Sequence, residues 1–136
     1  MEKLFNWISV ICGTIGGFIV SLLGGWDKLI VALLILMVLD YITGIIKGIY
    51  NKELSSEIGF KGLLKKVLIL IVVAVAVIIE QHMGIPAVRE IVIMFFAVNE
   101  GISILENASQ MGLPLPPKLK ETLLQLRDKD TEKEEK

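Results

Sequence analysis

Residues 4–26 read LFNWISVICGTIGGFIVSLLGGW, 23 positions without one charged side chain. A helix rises 1.5 Å per residue, and about 20 apolar residues cross the ~30 Å hydrocarbon core of a bilayer. This stretch is therefore read as a membrane span over residues 5–23. The turn Gly24-Gly25-Trp26-Asp27 closes it, with Trp26 suited to the headgroup level. A cleaved signal peptide is the competing reading. The start Met1-Glu2-Lys3 is not strongly basic, no A-x-A-like site follows, and more apolar segments come after, so a retained helix is expected.

Working outward, residues 29–46 form a second span interrupted only by Asp40. The connector 47–66 holds Ser55 and Ser56 as candidate helix N-caps and five lysines (47, 52, 61, 65 and 66) against Glu53 and Glu57. Residues 67–79 are unbroken Val, Ile, Leu and Ala. They give only about 20 Å of helix, so the third span is drawn over 67–83 to take in Glu80, Gln81 and His82 before Gly84-Ile85-Pro86 ends it. A fourth segment, 91–107, contains Asn99 and Glu100 and either spans or lies at the interface. Residues 111–117 (MGLPLPP) read as an extended hinge. Leu119, Leu123 and Leu126 then mark one side of a short amphipathic helix over 118–127, followed by a charged tail expected to be disordered in water.

The expected architecture is an all-α membrane protein with three to four transmembrane helices, four being favoured. Residues 1–110 would form the membrane domain and 111–136 a cytoplasmic hinge, helix and tail. Lysine and arginine placement gives the orientation. With four spans and both ends in the cytoplasm, twelve of the fourteen basic residues lie inside, and only Lys28 and Arg89 lie outside. Three spans would put six inside and eight outside.

Composition agrees with this and removes several classes of function. Of 136 residues 54% are hydrophobic and 21% charged, the mean hydropathy is +0.69 and the net charge −1. An ordinary soluble domain is more polar, and a nucleic-acid binder is more basic. Cys12 is the single cysteine and His82 the single histidine, so neither a disulfide nor a zinc site is expected. No phosphate-cradling loop or nucleophile–base pair is visible. No catalytic residue, metal or cofactor is expected, and no enzyme.

What remains is packing and polarity. At 100° per residue Gly13, Gly17, Ser21 and Gly24 share a narrow face of the first span, a stripe that lets helices approach closely within the chain or between copies. In the second span Asp40, Thr43, Gly44, Lys47 and Gly48 share a face. An ionised Asp40 facing lipid is costly, so it should face protein or water. It is read as a pore-lining or gating charge, or else as a structural contact to Tyr41 or a neighbouring helix, with Lys47 placed to help. In the fourth segment Asn99, Glu100, Ser103, Glu106, Asn107 and Gln110 fall within an arc of about 120°. That arc suits either a pore lining or a helix lying flat on the membrane. Lys61, Lys65 and Lys66 are read as lipid-headgroup anchors that set topology. Glu80 and His82 are read as an interfacial loop in preference to a proton relay.

Several stretches then resemble the toxin-secretion/phage-lysis holin family. They are Gly25-Trp26-Asp27, Leu39-Asp40-Tyr41-Ile42-Thr43-Gly44, Leu54-Ser55-Ser56, Gly59-Phe60-Lys61-Gly62 with Lys65-Lys66, the run NEGISILEN at 99–107, and Gly112-Leu113-Pro114-Leu115-Pro116. They stand in family order over residues 24–125. The resemblance implies a multi-pass protein of the bacterial (host) cytoplasmic membrane that homo-oligomerises among membrane lipids. It would open lesions releasing a cell-wall hydrolase (endolysin) or a toxin, and have no nucleic-acid partner. Two alternatives stay open: a small ion or proton-coupled carrier using Asp40, Glu80 and Glu100, and an inhibitor that co-assembles with a holin.

Overall fold

The computed structural model describes residues 1–134 and contains five helices in chain order. They are α1 (Glu2–Leu22), α2 (Lys28–Tyr50), α3 (Ser56–Met83), α4 (Val88–Gln110) and α5 (Pro117–Glu134). The protein is an all-α membrane protein. α1, α2 and α3 are each long and apolar enough to cross a bilayer. α4 matches α2 in length at 23 residues but carries Arg89, Glu90, Glu100 and Glu106 along it.

Local chemistry sets the boundaries. The Asp27 carboxylate accepts from the Ile30 amide at 3.0 Å and starts α2. The Ser55 hydroxyl accepts from the Ile58 amide at 3.2 Å and starts α3. Each cap satisfies a helix N-terminal donor that has no partner within the helix. Because Ser55 is the cap, α3 begins eleven residues ahead of the expected span start at Val67, and Lys61, Lys65 and Lys66 become helical. At its other end Gly84 takes φ 70°, the left-handed geometry that ends helices and favours glycine. α4 starts at Val88 and not at Ile91. Beyond the hinge, α5 continues to Glu134, where a disordered tail was expected after residue 127; the last two residues of that tail, 135 and 136, lie outside the described residues.

The bundle has two unlike ends. At one, the turn end, residues 23–27 join α1 to α2 and residues 84–87 join α3 to α4. At the other, the connector end, residues 51–55 join α2 to α3, and α5 follows α4. α4 packs along α2 and against α3, and α5 touches α4, while α2 and α3 meet each other little. Leu23, Ile30, Leu33, Met37, Val73 and Ile93 make the apolar core, and all of them sit toward the turn end. Toward the connector end α2 and α3 stand apart over α4. None of the residues of α1 is buried.

Candidate functional site

Where α2 and α3 part, three charges from three helices converge. The Lys66 ammonium donates to Asp40 Oδ2 at 2.5 Å and to Glu100 Oε2. The side chains are largely buried, at 14%, 15% and 9% exposure for Lys66, Asp40 and Glu100. Asn107 completes the group, its amide donating to Thr43 Oγ1 at 3.0 Å and to Asp40 Oδ1 at 3.4 Å. Thr43 in turn donates to the Asp40 carbonyl. A lone charge at this depth would be expensive by several kcal/mol, and pairing with hydrogen bonds offsets that expense.

The cluster sits at the wall of a groove of about 750 Å³ between α2 and α3, with α4 as its floor. Asn99 and Ser103 line it from α4, and Gly44, Lys47 and Gly48 line it from α2. On the α3 side the Tyr41 hydroxyl donates to the Gly59 carbonyl at 3.4 Å, and the Tyr41 side chain lies along the Gly59–Gly62 face at ordinary van der Waals distance.

The turn end holds a second polar assembly. Arg89, 6% exposed, donates to the Leu23 carbonyl at 2.7 Å, to Asp27 Oδ2 at 2.7 Å and, at 3.3 Å, to the Gly25 carbonyl and Asp27 Oδ1. Its own amide donates to Glu80 Oε2 at 3.0 Å, which caps α4 from α3. Gly24 is required here: its φ is +84°, and a Cβ would lie 2.5 Å from Arg89 Nε. The guanidinium and the Ile30 amide hold the Asp27 carboxyl below the usual carboxylate range.

The sequence-expected residues divide accordingly. Asp40, Thr43, Glu100 and Asn107 are brought together, and Asn99, Ser103, Gly44 and Gly48 line the adjoining groove. Glu106 is exposed and outside the cluster, so the polar arc of α4 is split between inward and outward groups. Gly13, Gly17 and Ser21 are exposed on α1, and Gly24 belongs to the Arg89 clasp. Lys61 pairs with Glu57 on the surface at 3.0 Å, and Lys65 is exposed at the groove. Lys66 corrects the reading of it as a headgroup anchor. Its ammonium is withdrawn into the bundle because two buried carboxylates attract it more than the interface does. For Asp40 the sequence offers Lys47, Tyr41 or a neighbouring helix as partner, and the neighbouring helix α3 is the one that reaches it. Lys66, 26 positions away in sequence, supplies the contact. The Arg89–Asp27 clasp went unread. Its signal was a single arginine beside the turn before α4, at the depth of a single aspartate in the turn before α2.

These features define a multi-pass helical membrane protein that keeps a charged cluster inside its helices. The chain belongs to the bacteriophage holin family, whose pattern matches residues 17–128. That family is membrane pore-forming and non-enzymatic, and its members lie in the cytoplasmic membrane. The chain is 43% identical to an uncharacterized 14.9 kDa protein from the nagH 3′ region of Clostridium perfringens, over 95% of this chain and 99% of that one. It is 44% identical to an uncharacterized Listeria monocytogenes protein over 100% of this chain and 96% of that one. It is 35% identical to a protein of Bacillus phage phi105 described as a probable holin, over 82% of this chain and 84% of that one. No solved structure matches the chain.

Proposed function

We propose that this chain is a holin whose copies gather in the cytoplasmic membrane of a bacterial host and open lesions that let a cell-wall hydrolase, or a toxin, leave the cytoplasm. Family membership and the phi105 relative support the reading. In this reading α4 is the fourth span, and the connector end and both termini face the cytoplasm.

The observation that carries the mechanism is the Asp40–Lys66–Glu100 cluster. Its two carboxylates share one ammonium only while α2, α3 and α4 stay together at the connector end. In lipid, separating those helices exposes ions to hydrocarbon, which is costly. Beside a water-filled lesion the same separation is inexpensive, because each ion is hydrated. The packed protomer is therefore the stable form at low density, and an assembly whose polar faces line water is the stable form once enough copies meet. Asn99, Ser103 and Asn107 move from the groove to the water-facing wall in that change, with Thr43 beside them. The membrane potential enters through the charges, worth about 2.3 kcal/mol per full charge moved through 100 mV.

The test is expression in bacteria that also hold a cytoplasmic wall hydrolase without an export signal, following culture turbidity. Abrupt lysis that needs both proteins is the expected result. Depolarisation without hydrolase release would replace the lesion by a small pore or carrier. Neither effect, with membrane insertion verified, would favour a co-assembling inhibitor.

A further inference from the structure

α1 and the α2–α3 groove are each left without the partner that its chemistry calls for. On α1, Asn6, Ser9, Gly13 and Gly17 fall within about 80° of one another at 100° per residue. All four are exposed, and a Cβ added at Gly13 or Gly17 meets nothing within 4 Å. Against lipid this face offers the Asn6 amide no acceptor, and it leaves the glycine notch empty of the close packing that holds membrane helices together. The groove is the converse. Its walls include Ile45, Leu68 and Val72, but Glu100 and Asn99 line it too. Acyl chains filling it would set hydrocarbon against ionised and amide groups.

Depth decides what fits. Both surfaces hang from the turn end, where α1 ends at Leu22, α2 begins at Lys28 and α4 begins at Val88. Ser9 lies thirteen positions below Leu22, while Asp40 and Glu100 lie twelve below Lys28 and Val88. At 1.5 Å per residue these are level to within about 2 Å. Asn6 and Gly44 are both sixteen positions down, so the α1 amide is level with the opening that a glycine leaves in α2. A chain's own α1 is directed elsewhere. Arg89 fixes the Leu23 and Gly25 carbonyls, and residues 2–19 are all exposed, without a packing partner among the described residues. A second copy crossing the membrane in the same sense presents its α1 at the same depth with no vertical shift.

We propose that α1 of one copy seats in the α2–α3 groove of the next, its Asn6–Ser9–Gly13–Gly17 face covering the Asp40–Lys66–Glu100 cluster. The contact joins two different surfaces, so it propagates from copy to copy instead of closing at a dimer. It rests on the reading that copies assemble, and it names the surfaces that do so; the neighbour's α1 fills the groove that stays open beside the cluster in one chain.

Cys12 is the single cysteine, so Cys12→Ser gives a clean background for disulfide trapping in intact membranes. Ser9→Cys combined with Leu68→Cys, a half-exposed groove residue, is expected to give a ladder of dimers, trimers and larger species under copper–phenanthroline. The ladder should be lost with either substitution alone. It should also be lost when Ile11→Cys, on the opposite side of α1, replaces Ser9→Cys. Dimers from Ser9→Cys alone would mean that α1 pairs with α1, and a compact cross-linked monomer would mean that each chain closes its own groove. Equal ladders from the Ser9 and Ile11 variants would mean random collision, and no cross-link would mean that lipid covers the groove. Any of these overturns the docking. Hydrolase-dependent lysis, measured in parallel cultures under reducing conditions, separates this from the broader reading. Lysis without the ladder removes the docking alone, whereas the loss of both counts against the holin reading itself.

Discussion

Lys66 is the residue on which the connector end turns. Two carboxylates share its ammonium, so the three substitutions that each remove one charge are unequal. Asp40→Asn or Glu100→Gln leaves a one-to-one pair and an amide that can still hydrogen-bond, at a cost of about 1–3 kcal/mol. Lys66→Met leaves two acids facing each other with no cation, a loss of roughly 3–5 kcal/mol or more. Titration of purified protein with dodecyl sulfate in mixed micelles, read by helicity, should rank Lys66→Met as clearly the least stable. Adding Asp40→Asn and Glu100→Gln to Lys66→Met should recover most of that loss, since an uncharged cluster needs no cation. If Lys66→Met proves as mild as Asp40→Asn, the cluster does not hold the helices together. In lysis cultures Asp40→Asn should shift the time of onset, because it changes the charge that must be hydrated when the helices part; unchanged timing and oligomer size would remove Asp40 from the mechanism.

Among the elements, the turn between α1 and α2 is fastened by side-chain hydrogen bonds in addition to the packing of Leu23 in the core. Arg89 reaches from α4 to the Leu23 and Gly25 carbonyls and to Asp27, and Glu80 of α3 caps the same helix start. The Asp27 carboxyl is lowered from its ordinary value of 3.8 chiefly by its hydrogen bond to Arg89. A group with a depressed folded pKa stabilises fully above its unfolded value, and that contribution fades as pH falls through the lowered folded value. Thermal melts in detergent from neutral pH to below the ordinary aspartate range should therefore show an acid-side loss that Asp27→Asn reduces. Glu80 and Glu90, the other acids at this end, are common to both proteins and cancel in the difference. Asp27 is 47% exposed, so water and salt screen the effect and the difference should be small. Equal acid-side losses in the two proteins would show that the clasp works through its carbonyl contacts alone. The element boundaries themselves were legible where a local signal exists, as with Ser55 as a cap and Gly84 as a stop. At α3 the cap and the hydropathy mark different things, since Ser55 caps the helix while the apolar run starts only at Val67.

For the whole molecule, the hydropathy of the first three helices was plain in the sequence, and so was the presence of polar groups in the fourth. The partner of each buried charge was not, because Asp40, Lys66 and Glu100 lie 26 and 34 positions apart and meet only when three helices pack. Their packing also bears on whether α4 crosses the membrane. Counted along the chain, Arg89, Glu90, Glu100 and Glu106 make α4 too polar for a span. Placed in three dimensions they are less forbidding. Arg89 and Glu90 sit in its first turn at the turn end, Glu106 is near the connector end, and Glu100 alone lies in between, paired with the Lys66 ammonium that it shares with Asp40. With that pair formed, the 23 residues of α4 are long enough to cross beside α2. In the proposed four-span reading the positive-inside count favours both termini in the cytoplasm, even after Lys66 is removed from the interfacial lysines, since Lys47, Lys52, Lys61 and Lys65 remain in the connector. A fluorescent protein fused after α5 should therefore fold and fluoresce, and an alkaline phosphatase fused at the same point should be inactive. Lys66→Met should move a fraction of the phosphatase fusions to the active state, because an unpaired Glu100 makes α4 a poor span. Full phosphatase activity in the unsubstituted fusion would put the tail outside and reduce the chain to three spans.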